Sequence, residues 1–496
     1  MNTVAATFNR VSAAAAPQPA LLRRAVLIES LILGAFAILW AYFSYGYIED
    51  DAFIHLEFAR SVASGQGFAF GGNVTNGDTS PLWVLFVTLV HALHLDWVTS
   101  AKVACAAGLA LAVSGVWRLT SDLPRECLTH ALLPGVALAV TVVNPYFVHW
   151  SFSGMEATAA LGLSFWATWA VFLGTPTTGR LLFAALLLAV GPLLRPELLV
   201  FAALMGPALL WRSWHAREDR AVAARLAYIA GLGVLMIIPL CLWSGYALHA
   251  FGSVIPNTNM AKRGGATSVL AARLAQVYLM GFGASLLLLP FALVGATRGR
   301  RTPLVIWAML LWPAVCVCFY LANHTLVQTR YCLLSMPSMS VAVLWLLARI
   351  TRPRVFVTVG AALVAAAAFV IVAIVVPHVR NKEHVREEFA SVSAFIRDNI
   401  PAGDPVAVMA IGQIEFESRH HLVDLGGITQ PEVVRYLNDP AGTLRWAKEH
   451  GARYFIGVKP EPRARQLYGV DVPYVGWTLE RARYSETEPF AVFQLP

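Results

Sequence analysis

Two adjacent aspartates, Asp50 and Asp51, follow directly on the first long apolar segment of the chain, in the run Tyr47-Ile48-Glu49-Asp50-Asp51-Ala52-Phe53-Ile54-His55. Ionised carboxylates beside a bilayer are costly unless hydrated or paired, so by default they mark a site. One carboxylate there can take a proton from an acceptor hydroxyl as general base, while its neighbour holds it or binds a divalent cation. Helix capping competes with that reading, because Asp is favoured at an N-cap and in a first turn, and residues 52–63 have helical character. A cap accounts for one carboxylate, and less easily for two beside Glu49. His55 falls one turn after Asp51 on the same face, where a satisfied structural histidine is the more common finding.

Four further groups carry polar chemistry. Ser151-Phe152-Ser153-Gly154-Met155-Glu156 places a carboxylate where a helix would start, so capping competes again. Leu194-Arg195-Pro196-Glu197 joins two apolar segments, and its Arg and Glu can simply neutralise each other. The run Ile255 to Arg263 holds Asn257, Lys262 and Arg263. The run Asn323 to Tyr331 holds Arg330. Isolated cations of this kind suit a phosphate, and lipid headgroups satisfy any one of them as well.

The elements that must position these residues are membrane helices. Hydrophobic residues make up 57% and charged residues 13% of 496 residues, which excludes an ordinary soluble domain and fits a polytopic membrane protein. The spacing predicts about eleven spans, at roughly 25–45, 98–118, 129–147, 156–173, 180–194, 197–211, 226–245, 275–297, 303–321, 332–349 and 355–377. With the N-terminus in the cytoplasm, one set of segments collects most of the cations, among them Arg10, Arg23, Arg24, Arg118, Arg125, Arg180, Arg212, Arg217, Arg300, Arg301, Arg349 and Arg354. The opposite loops hold few: Arg60, Arg195, Lys262, Arg263, Arg273 and Arg330. That asymmetry orients the chain and explains the net charge of +8 without nucleic acid. All five polar groups then fall on the outer face. The stretch Pro81 to Leu95 is short and would invert every later loop if it crossed, so it reads as a helix lying in the outer interface.

Six cysteines lie in or near the spans with neither zinc spacing nor a disulfide pattern. After Pro377 the composition turns polar. Strand-like runs at Val406–Ala410, His421–Leu425 and Arg453–Val458 alternate with helical ones at about 383–399 and 442–450, which argues a small α/β domain outside the cytoplasm. The expected division is therefore a helical domain at 1–377 and an α/β domain at 378–496. Glu415, Glu417, Arg419, His420 and His421 form its most polar stretch, a candidate for acceptor selection that a solvated loop explains more simply.

Taken in order, several motifs resemble one family. These are Asp50-Asp51-Ala52-Phe53-Ile54, Gly65-Gln66-Gly67-Phe68, Thr79-Ser80-Pro81-Leu82-Trp83, Ser153-Gly154-Met155-Glu156, Arg195-Pro196-Glu197, Pro256-Asn257-Thr258 with Ala261-Lys262, Arg330-Tyr331, Ala410-Ile411-Gly412 and Val423-Asp424-Leu425-Gly426-Gly427. The chain resembles the polyprenyl-phosphate-dependent glycosyltransferases of the GT-C superfold, with the bacterial cell-wall arabinofuranosyltransferases as the nearest branch. The resemblance implies a multi-pass protein of the bacterial inner membrane. It also implies a sugar donor on a polyprenyl phosphate, an extracytoplasmic glycan, lipid or protein as acceptor, and inversion at the anomeric centre. Carried over, Asp50 and Asp51 are catalytic base and acceptor-positioning group. Lys262, Arg263 and Arg330 would bind the donor phosphate. His55, Glu156, Arg195, Glu197, Asn257 and Tyr331 would line the substrate site, and a divalent cation is compatible with it. Departures at His55-Leu56-Glu57-Phe58 and Asn73–Asp78 leave the sugar open. A flippase for lipid-linked sugars would need mid-span charges and repeated halves, neither of which is evident. A non-catalytic scaffold leaves the acid pair unexplained.

Overall fold

A computed structural model of the protein describes residues 34, 40–41, 45–263, 267–298, 301–436, 439–458, 474–483 and 489–495. The expected first span and its flanking Arg10, Arg23 and Arg24 lie almost wholly outside the described residues, as does Arg300. Every later span expected from the sequence falls on helix. Among the described residues, Trp97–Asp122, Val222–Phe251, Leu304–Ala322, Thr329–Ala348 and Pro353–Asn399 are long and apolar enough to cross a membrane, and Thr267–Thr297 adds a bent sixth. Leu128–Val142, Ala157–Phe172 and Thr178–Leu194 are apolar but shorter.

Two departures from the expected spans have local causes. The 129–147 segment breaks at Asn144, whose side chain caps a new helix, Pro145–Trp150, by accepting from the Tyr146 and Phe147 amides at 3.0 and 3.2 Å. The last span does not stop at Pro377. A π-helical turn, Ile371–Val375, leads into helix Val376–Asn399, and the whole of Pro353–Asn399 is one rod. A π turn rearranges the backbone bonds that a proline one turn later would otherwise break.

Helix packing relies on close backbone approach. A Cβ on Gly162 would stand 2.6 Å from the Ala112 amide nitrogen, and one on Gly108 2.9 Å from that of Ala159. Small residues are what allow membrane helices to touch this closely. At one end of the bundle Arg349 meets Glu126 at 2.7 Å. The polar loops gather elsewhere, around helix α1 (Asp50–Ala63). Beside α1 lies the Pro81–His91 helix, which buries Trp83, Val84 and Val87 and leaves Leu85 and Leu89 exposed, with Leu93 exposed in the turn that follows.

The polar tail packs onto α1. Its strands are β1 (Val406–Val408), β2 (Leu422–Asp424), β3 (Tyr454–Val458), β4 (Tyr474–Arg483) and β5 (Pro489–Gln494), which lie in the order β2-β1-β3-β5-β4, with β1 parallel to β2 and β3 and with β4 and β5 an antiparallel hairpin. Between β1 and β2 the short helix Gly412–Ser418 faces α1. Residues 412–418 are therefore not a solvated loop: Glu415 is buried, and so is His420.

Candidate functional site

A turn at Ser153-Gly154 seats the first turn of α1. Gly154 adopts φ +86°, and a Cβ there would lie 2.6 Å from that of Ala52, so only glycine fits. The Glu49 amide donates to the Ser153 carbonyl at 3.0 Å and the Trp83 indole to that of Gly154 at 3.0 Å. Buried Lys102 reaches up from its helix to donate to the carbonyls of Tyr47 and Phe152. The start of α1 is thus fixed from below.

Over it lies a cavity of about 140 Å³, lined by Asp51, His55, Asp78, Glu156, Arg195, Glu197, Lys262, Tyr320, Arg330, Tyr331 and several less polar residues. Residues from all five polar segments converge here. Arg195 holds Glu197 in a two-point contact at 3.0 and 3.1 Å and reaches Glu156 with its other nitrogen. Glu156 approaches His55 Nε2 at 3.3 Å, and His55 Nδ1 meets Asp78 at 2.5 Å. The Tyr320 hydroxyl donates to Glu197 at 3.3 Å. Burial favours the neutral imidazole, but Asp78 and then Glu156 override it and raise the His55 pKa to about 10. The two carboxylates around His55 thus favour its protonated form. Buried carboxylates at this density persist only because each has a cation.

Capping does not explain the acid pair. Glu49 occupies the N-cap of α1 without a side-chain cap bond. Asp51 binds Arg330 at 2.5 Å, with Lys262 at 3.8 Å. Burial pushes its pKa up, but Arg330 and then Lys262 pull it well below the usual carboxylate range. Asp50 points the other way, and its Oδ1 accepts from the Gln413 amide at 2.8 Å. Burial is its dominant influence and, helped by the Asp51 charge, lifts its pKa to about 6 against the amide of Gln413. Neighbouring carboxylates pushed apart in this way divide the work: the one with the raised pKa suits proton transfer near neutral pH and the other suits charge holding.

A second, larger cavity of about 540 Å³ adjoins the first. Glu49, Asp50, Asp51, His149, Arg273, Gln276, Arg330, His378 and Lys382 form its polar end, and Val277, Met280, Val370, Ile374 and Val375 its apolar wall. Asp51 and Arg330 line both cavities. Glu49 binds Lys382 at 3.1 Å and receives the Tyr47 hydroxyl at 2.7 Å. Burial opposes its ionisation, yet His149, Lys382 and Tyr47 together hold its pKa down to about 2.

Not every sequence candidate reaches these cavities. Arg263 bonds Asn323 at 3.1 Å on an exposed surface and lines neither. Asn257 is a clamp: its amide donates to Thr75 Oγ1 and to the Ile428 carbonyl, both at 3.2 Å, tying the loop to the tail. Sequence reasoning passed over Asp78, His149, His378, Arg273 and Lys382. Asp78 closes the Asn73–Asp78 run, but nothing in its spacing from His55 signals the pairing. His149 lies near the end of the short Pro145–Trp150 helix and His378 just past the apolar part of the Pro353–Asn399 rod, where isolated histidines carry little information. The tail closes over the site through Ile428, which lines the smaller cavity, and through contacts from Arg60 to the Phe416 carbonyl at 3.0 Å and from Thr75 to that of Thr429 at 3.1 Å.

A family model, a domain of unknown function (DUF8728), matches residues 377–492. No curated protein matches the chain in sequence. Among solved structures the chain is similar to ArnT from Cupriavidus metallidurans bound to undecaprenyl phosphate, with 11% identity over 94% of this chain and 97% of that one and a TM-score of 0.60. It is similar to the same protein in the apo state with 12% identity, the same coverage and a TM-score of 0.59. The likeness is one of fold and extends over nearly the whole chain.

Proposed function

We propose that the protein is an integral membrane glycosyltransferase that moves a sugar from a polyprenyl-phosphate donor to an extracytoplasmic glycan, lipid or protein, with inversion. The sugar is a pentofuranose such as arabinofuranose, or a hexose. The observation that carries this reading is the meeting of two unlike cavities at the Asp51–Arg330 pair. The larger cavity joins an apolar wall to cations, as a lipid phosphate requires. The smaller is lined with hydrogen-bonding groups, as a sugar requires. A neighbour of the same fold was solved with undecaprenyl phosphate bound, which supports a lipid-phosphate donor here.

In this reading the donor phosphate lies at Arg330, near Lys262 or the cations of the larger cavity, and its sugar enters the smaller one. Asp50 takes the proton of the acceptor hydroxyl. The acceptor oxygen attacks the anomeric carbon as the bond to the phosphate oxygen breaks, and the electron pair leaves with the phosphate. A phosphate departs without a strong general acid, so positioned cations suffice. Attack opposite the leaving group inverts the centre.

The polar loops lining one cavity support the topology of about eleven spans, with these loops and the tail on the non-cytoplasmic side of a bacterial inner membrane. Reporter fusions at Arg300 and Pro496 will read opposite sides if this is right, and the same side if it is wrong. The activity itself is tested with the full-length protein in nanodiscs and a panel of polyprenyl-phosphate pentofuranoses and hexoses. Release of polyprenyl phosphate with an inverted product is expected. Movement of intact donor between leaflets without cleavage would identify a flippase instead.

A further inference from the structure

We propose that Glu49, His149 and His378 form a zinc site in the wall of the larger cavity. The three residues come from separate elements: the loop before α1, the Pro145–Trp150 helix and the Val376–Asn399 helix. Each offers one ligand atom, and these atoms all lie within 4.8 Å of one another. Glu49 and His149 are buried and His378 is half-buried. Ligands about 2.0–2.2 Å from a tetrahedral ion stand roughly 3.3–3.6 Å apart, so closure takes about an ångström of side-chain movement.

The donor set selects the ion. Two imidazole nitrogens and one carboxylate oxygen suit zinc, whereas magnesium and calcium prefer all-oxygen sites. Three protein ligands leave a fourth position open, and all three residues line the same cavity, so that position opens into it. The surroundings are arranged for this role. The Tyr47 hydroxyl lies 2.7 Å from both Glu49 Oε1 and His149 Nε2, and with an ion bound it would orient the carboxylate from outside. Lys382 takes the other carboxylate oxygen, Oε2, and leaves Oε1 toward the histidines. The imidazoles of His149 and His378 are neighbours, with ring centres 4.9 Å apart, and His149 stacks on Trp150 at 4.6 Å.

Two neutral imidazoles, one carboxylate and a dication leave a net positive charge. Arg273, Arg330 and Lys382 line the same cavity, opposed by Asp50 and Asp51. The ion would add attraction for an anion entering there. What it does to substrate rests on the proposed function, but its binding does not.

Binding is measured on the full-length protein purified without a histidine tag, stripped with chelator and titrated with zinc chloride by calorimetry. Cobalt absorption in parallel reports a tetrahedral site. One equivalent is expected, with affinity falling at least about tenfold in His378→Ala and in Glu49→Gln. Metal-free melting of His378→Ala should match the wild type, because that side chain is half-buried. His378→Cys gives a second, fold-independent reading: its cobalt form should gain a thiolate charge-transfer band. A wild type that takes up no zinc, variants that bind it as tightly as the wild type, or a cysteine variant without the band overturns the site. None of these results touches the transferase reading, which is assayed separately by donor cleavage.

Discussion

The two cavities share Asp51 and Arg330 but follow opposite designs. In the smaller one the charges answer one another within the protein: Asp78, His55, Glu156, Arg195 and Glu197 form one continuous chain. Such a network is rigid and keeps its shape without ligand. In the larger one Arg273 has Gln276 as its partner at 3.0 Å and not a carboxylate, and apolar helix faces supply most of the wall. The first is built to hold a neutral polar group in one orientation. The second is built to take an anion with an apolar extension. The acid pair marks the border, with Asp51 held by Arg330 and Lys262 and Asp50 by the Gln413 amide.

The largest effect should follow from breaking that border. Asp50→Asn keeps the shape and removes the base, so transfer should fall about 10²–10⁴-fold while donor binding persists. The wild-type rate should rise with pH through about 6, because the base works only when ionised and burial lifts the Asp50 pKa to about 6. That ascending limb should vanish in the variant. A variant with near-normal turnover would make the acid pair a structural feature.

Next comes Arg195→Ala, which tests whether the smaller cavity is a closed network. It leaves Glu197 buried without its cation and Glu156 with His55 alone. Removing one partner from such a cluster costs about 3–5 kcal/mol, and a large drop in melting temperature is expected. If melting is unchanged, the network is not the source of the cavity's rigidity.

The sequence carried most of the helical framework and the convergence of the polar loops. Spans are legible because a bilayer demands about twenty apolar residues, and the uneven share of arginine sets an expectation of sidedness that reporter fusions test. What it could not carry was pairing across distance. Nothing near Asp50 announces that its partner is the amide of Gln413, or that Asn257 clamps the tail and Arg263 faces away. The tail's polar run hid a helix because Glu415 is buried against α1, where burial, with help from Glu57, pushes its pKa up to about 8. The continuous rod through Pro377 was also hidden, since a π turn leaves no mark in hydropathy.

A third, intermediate effect concerns the tail's hold on Asp50. A Cβ on Gly412 would stand 2.1 Å from the Asp50 backbone oxygen. Gly412→Ala must therefore push the Gly412–Ser418 helix off α1 and strip Asp50 of the Gln413 amide. Transfer should fall roughly tenfold, and the ascending pH limb should move upward, because that hydrogen bond lowers the Asp50 pKa. Full activity with an unmoved pH limb would make the tail a spectator of the chemistry.

The smallest effect belongs to the open design of the larger cavity. Arg273 is exposed and pairs with no carboxylate among the described residues, so Arg273→Ala should leave melting unchanged. One solvated cation facing a phosphate is worth on the order of 1 kcal/mol, so the KM for the polyprenyl donor should rise about three- to tenfold with kcat nearly constant. That pattern marks a group that binds donor and transition state equally. It is the reverse of Arg195→Ala, where stability falls first. If Arg273→Ala lowered kcat with KM unchanged, the cation would be acting on the departing phosphate itself, and the border between the cavities would have to be drawn to include it.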